Sequence, residues 1–61
     1  MKYIEIYTRI DGTVETGVYD TKKEILEAFE QTKHFSDLFK ESSIIELKPD
    51  GETSLLAHWE K

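Results

Sequence analysis

The chain has 61 residues, of which 13 are acidic and 8 basic, for a net charge of −5, and it has no cysteine. That length supports a single domain, residues 1–61. The missing thiols rule out disulfides and thiolate metal sites. The acidic balance argues against sequence-independent nucleic-acid binding, which depends on Lys and Arg neutralising phosphates, and against docking on an anionic membrane. No apolar run nears the ~20 residues of a membrane-spanning helix.

A domain of this size buries only about 60% of the surface its unfolded chain exposes. Small domains therefore gain support from a staple or a partner, and with no cysteine the expectation here is self-association or a partner, an unusually good core being the alternative. The first residues, MKYIEIYTRI, alternate and carry charge, which reads as a strand rather than a signal peptide. A complete small reading frame acting in the cytoplasm is expected.

Residues 3–9 and 13–19 alternate with β-branched side chains, the pattern of two strands, and Asp11-Gly12 lies between them. A three-residue loop, Ile10-Asp11-Gly12, with Gly12 left-handed, pairs Arg9 with Thr13, Ile4 with Val18, Ile6 with Thr16 and Thr8 with Val14. A two-residue loop slips the register by one and sets charged residues against apolar ones, so the longer loop is preferred.

Thr21 and Glu24 form a T-x-x-E capping box that starts a helix. Ile25, Ala28, Phe29 and Thr32 make its apolar stripe, extended by Phe35 and Phe39. Leu38 falls off that stripe, so a break is expected near residues 34–37. Residues 43–48 and 52–59 form a second hairpin around Pro49-Asp50-Gly51. Its register pairs Lys48 with Glu52, Leu47 with Thr53, Ile45 with Leu55, and Ser43 with Ala57.

The fold class expected is α+β: hairpin, helix, hairpin, giving a four-stranded sheet with one helix packed on one face. The inner face is expected to carry Ile4, Ile6, Val14, Val18, Ile45, Leu47, Leu55 and Trp59 against Phe29 and Phe35. Strand order is open. A β-grasp order would set the first and last strands side by side and parallel, and the connectivity resembles that of the immunoglobulin-binding domains of bacterial surface proteins.

The other face is expected to carry Tyr3 opposite Tyr19, Tyr7 opposite Glu15, Ile44 opposite Leu56, and Ser42 opposite His58. That is apolar for a face in water, and tyrosine is enriched at interfaces. Tyr3, Tyr7, Tyr19, Ile44, Leu56 and His58 are thus the expected partner or dimer interface. Glu24, Glu27 and Glu30 form a second candidate, an acidic helix face suited to a basic partner, although Lys22, Lys23 and Lys33 interrupt it.

His34 and His58 are the only side chains that ordinarily titrate near neutrality. Neither comes with a nucleophile motif, an orienting group or a phosphate-binding loop. No catalytic residue, cofactor site or metal site is assigned. In size, acidity and lack of cysteine and catalytic motifs the chain resembles the short acidic proteins that phages encode to block bacterial defence systems or host nucleic-acid enzymes. The resemblance implies a non-enzymatic inhibitor, often a homodimer, that occludes a host protein. A non-inhibitory oligomerising module and a small enzyme using His34 or His58 are the alternatives.

Overall fold

In the computed structural model, which describes all 61 residues, the chain runs β1 (Lys2–Arg9), β2 (Val14–Tyr19), α1 (Lys22–His34), β3 (Phe39–Leu47) and β4 (Thr53–Glu60). One sheet holds all four strands in the order β2-β1-β3-β4, with every neighbouring pair antiparallel. The first and last strands are not neighbours, so the β-grasp order does not apply.

Both hairpins turn as their sequences require. Gly12 and Gly51 have φ of 93° and 92°, a region closed to most L side chains. Asp11 and Asp50 each accept a hydrogen bond from the amide two residues on. The β1–β2 register is the expected one, from Tyr3 opposite Tyr19 to Thr8 opposite Val14. Thr21 caps α1 through the Glu24 amide, and the Glu24 carboxylate accepts from the Thr21 hydroxyl. The helix ends at His34, a turn occupies residues 35–38, and Phe39 belongs to β3 rather than to the helical stripe.

The β3–β4 register departs from expectation at one point. Leu47 faces Thr53 and Ile45 faces Leu55, but Ile44 faces Ala57, which leaves Leu56 as the extra residue of a bulge. A bulge moves every later side chain to the opposite face. Beyond it His58 stands opposite Ser43, and Trp59 opposite Ser42.

The helix covers the face that the sequence reading left open. Its buried residues Ile25, Phe29 and Thr32 meet Tyr3, Glu5, Ser42 and Ile44, with Tyr19, Leu56, Ala57 and Trp59 packed around them. Chirality supplies the reason. β2 and β3 are parallel and flank β1, so α1 is a crossover, and such crossovers are right-handed in about 98% of cases. In β1 the odd-numbered residues bond to β2, as the Arg9 amide donating to the Thr13 carbonyl shows. With L residues in this strand order, a right-handed crossover reaches only the face of Tyr3, Glu5 and Tyr7. The face of Ile4, Ile6, Val14, Val18, Ile45, Leu47 and Leu55 is left uncovered, and Phe35 ends half exposed beyond the helix.

Candidate functional site

Two surfaces stand out, one on each side of the sheet. On the uncovered face, strand pairing aligns side chains in rows. Val18, Ile4, Ile45 and Leu55 form one apolar row across all four strands. Ile6 and Val14 extend it on one side and Leu47 on the other. Leu55 is 65% exposed, Val18 63% and Val14 61%. Strands ~4.8 Å apart, rising ~3.3 Å per residue, give this face roughly 19 by 25 Å, or about 480 Å². Its apolar residues fill only part of that outline, which also takes in Thr8, Thr16, Ser43 and the charged ends, but a continuous exposed apolar row of this kind is frequently functional.

Charge avoids the middle of this face. Glu41 and Glu60 sit at one end, directly opposite each other, and the exposed Lys2–Asp20 ion pair sits at the other. Beside the two glutamates, Ser43 Oγ lies 2.7 Å from His58 Nδ1, and His58 Nε2 lies 4.0 Å from Glu41 Oε2. Ligand atoms of Glu41, His58 and Glu60 fall within 4.8 Å of one another. Sequence reading missed this corner because the bulge at Leu56 is what brings His58 beside Ser43. As a catalytic group it is incomplete. Ser43 stands in a central strand whose amides belong to the sheet ladders, so no N–H pair is free to stabilise an oxyanion.

The expected interface residues fall in different places. Tyr3 and Ile44 are buried under the helix, and Tyr7, Tyr19 and Leu56 are half-buried on that same side. They form core and cleft walls, not an open face, because the crossover selects the face that the helix covers. Of that group only His58 stands on the uncovered side. His34 is exposed at the end of α1, with its ring edge-on to Phe35 at 5.1 Å. Glu24, Glu27 and Glu30 are exposed on α1 as expected.

The second surface is a cleft of about 640 Å³ between α1, the 35–38 turn and β1–β2. Its walls are aromatic: Tyr7, Tyr19, Phe35 and Phe39. Tyr7 and Phe39 meet edge to face at 5.4 Å. Gly17 gives Tyr19 its place, since a Cβ there would lie 3.2 Å from the Tyr19 ring and hydroxyl. A larger depression of about 920 Å³ is lined only by residues 22–35, from α1 and the residue that follows it; the smaller cleft differs in being walled by both helix and sheet.

Glu5 lines this cleft and is only 2% exposed. Ser42 Oγ donates to its Oε2 at 2.8 Å. Thr32 Oγ1 lies 3.1 Å from the same oxygen and 2.9 Å from the Phe29 carbonyl, so its one proton is divided between them. Glu5 Oε1 receives neither bond. Glu24 and Glu27 also line the cleft, and no Lys, Arg or His does. The phenols register this environment. Burial raises the pKa of Tyr7, helped by the Glu15 hydrogen bond and by the charges of Glu15 and Glu5 and opposed by Arg9. Burial likewise raises that of Tyr19, helped by Glu5 and Glu24.

Comparison with protein-family models, with curated proteins and with solved structures finds no match. No helix is long and apolar enough to cross a membrane.

Proposed function

We propose that this chain is a protein-binding module that acts by occupying surfaces rather than by turnover, and that two copies assemble through their uncovered sheet faces. The observation that carries this reading is the apolar row Val18–Ile4–Ile45–Leu55, which crosses the whole sheet with nothing packed on it. A second copy fits for two reasons. Two whole faces of about 480 Å² in outline, their polar ends included, together come to about 1,000 Å², the lower bound for a specific interface. Most of the charge that would oppose self-association of an acidic chain lies on the helix, with Glu24, Glu27 and Glu30, and on the face itself Glu41 and Glu60 are confined to one end.

Such a dimer is a sheet-on-sheet sandwich with a helix on each outer side. It presents two acidic helical surfaces to a partner. Occlusion of a basic site on another protein, as an inhibitor of the phage-encoded kind would do, is the action that this arrangement favours.

The test is molar mass by light scattering over a concentration series, for wild type and for Leu55→Glu. A wild-type dimer that becomes monomeric in the variant supports the reading. A wild type that stays monomeric at every concentration, or a variant as dimeric as wild type, overturns the sheet-face assembly.

A further inference from the structure

The cleft under the helix faces away from the uncovered sheet, so its chemistry is independent of whether a dimer forms. Its floor holds a carboxylate that is 2% exposed, and its nearest polar partners are two hydroxyls rather than a cation. A buried carboxylate is costly unless it is paired. Ser42 and Thr32 bond to one oxygen and leave the other for the cleft. Around it stand the rings of Tyr7, Tyr19, Phe35 and Phe39, with Glu24 and Glu27 on the helical wall; Arg9 already lies over the Phe39 ring at 5.9 Å, so the tyrosine rings are the main faces left for a ligand.

Aromatic faces attract cations through their quadrupoles, at open sites as well as at desolvated ones. A carboxylate at the base of an aromatic-walled cleft supplies the directional charge. We infer that this cleft is a binding site for the cationic head of a lysine or arginine side chain on a partner polypeptide, with Glu5 as the anion that receives it. The source is a polypeptide rather than a free amine because the cleft is open along its length. Its mouth also carries exposed apolar residues, Phe35 and Leu38, which suit the backbone and stem of an incoming segment. An ammonium would make one bond to the free Glu5 oxygen, and a guanidinium adds planar stacking on the tyrosines.

The experiment is amide chemical-shift mapping by NMR on the intact chain. The probes are N-acetyl-lysine methylamide, its arginine counterpart, and the neutral Nε-acetylated lysine derivative, each at millimolar concentration. The expected result is saturable shifts at Glu5, Tyr7, Gly17 and Tyr19 with one or both cationic probes and none with the neutral one. Comparing the two cations tells which head the cleft takes. Glu5→Gln keeps an acceptor for Ser42 and Thr32 but removes the charge, and should weaken binding at least about tenfold. Should that variant fail to fold, Gly17→Ala serves instead: its Cβ pushes the Tyr19 ring, leaves Glu5 in place, and should also weaken the cationic probes. Equal binding of the neutral probe, shifts away from the cleft, no shifts at all, or unchanged affinity in the folded variant would overturn the inference.

Discussion

Leu55 and Leu56 are neighbours with opposite environments, and replacing each with glutamate should give opposite outcomes. Leu55 lies on the uncovered face at 65% exposure; Leu56 is the bulge residue, half-buried against the core of Tyr3, Ile25, Phe29 and Ile44. A domain of 61 residues has roughly 3–9 kcal/mol of stability at 0.05–0.15 kcal/mol per residue.

In Leu56→Glu, the lost apolar burial costs about 1–2 kcal/mol, and setting an unpaired carboxylate against an apolar core costs several more. The sum reaches most or all of the stability available, so this chain should be unfolded or nearly so by circular dichroism. In Leu55→Glu, a surface change shifts monomer stability by only about 0.5 kcal/mol, and the urea midpoint at low concentration should hardly move. The assembly should suffer instead. Burying the exposed 65% of Leu55 is worth roughly 1.3 kcal/mol, at about 2 kcal/mol for a whole leucine side chain. A symmetric dimer loses it twice, which is roughly a hundredfold in Kd before charge repulsion is added. A folded, wild-type-like Leu56→Glu beside an unfolded Leu55→Glu would refute the placing of the helix and, with it, both sites.

Other outcomes follow from the same contacts. Ile44→Ala, at a position with no exposed surface, should lower the unfolding free energy by about 2–5 kcal/mol, read from urea melts; a loss within error would mean Ile44 is not in the core. Ser42→Ala should cost about 1.5–3 kcal/mol, the worth of a hydrogen bond to a charged group, because it leaves Glu5 Oε2 with only the shared Thr32 proton. Gly51→Ala should cost about 1 kcal/mol or a little more, since φ at residue 51 is 92°. The Tyr7 and Tyr19 phenols are raised by burial and nearby carboxylates. The unfolded chain therefore loses its phenolic protons first, so stability present below about pH 10 should fall as pH rises through the folded values, followed by tyrosinate absorbance alongside circular dichroism. At the acid end the Thr13 amide lowers the pKa of Asp11, and Lys2 lowers that of Asp20. Their contribution is present above about pH 4 and should be lost as pH falls through the folded values.

Local chemistry made much of this protein legible from the chain alone. Each X-Asp-Gly loop dictates its own turn, because only glycine sits easily at positive φ, and the first loop carried the β1–β2 register with it. Thr21 and Glu24 marked the start of the helix, and the misfit of Leu38 marked its end. Glu24, Glu27 and Glu30 are exposed as helical spacing predicts, although Glu24 and Glu27 also line the cleft beside the sheet.

The facing of the sheet was another matter. Both faces are apolar enough to be a core, one with Ile4, Val18, Ile45 and Leu55, the other with Tyr3, Tyr19, Ile44 and Leu56. A count of apolar residues favours the first face, and the helix lies on the second. The deciding quantity is not local. It is the handedness of the β2–α1–β3 crossover, which exists only once β1 lies between β2 and β3. The bulge at Leu56 belongs to the same class. It sends Trp59 inward and His58 outward, and no residue type near it signals an extra position. Tertiary structure alone therefore decided which apolar face became core and which was left open, and it set Glu5, five residues from the N-terminus, at the base of a cleft built by residues as distant as Phe39.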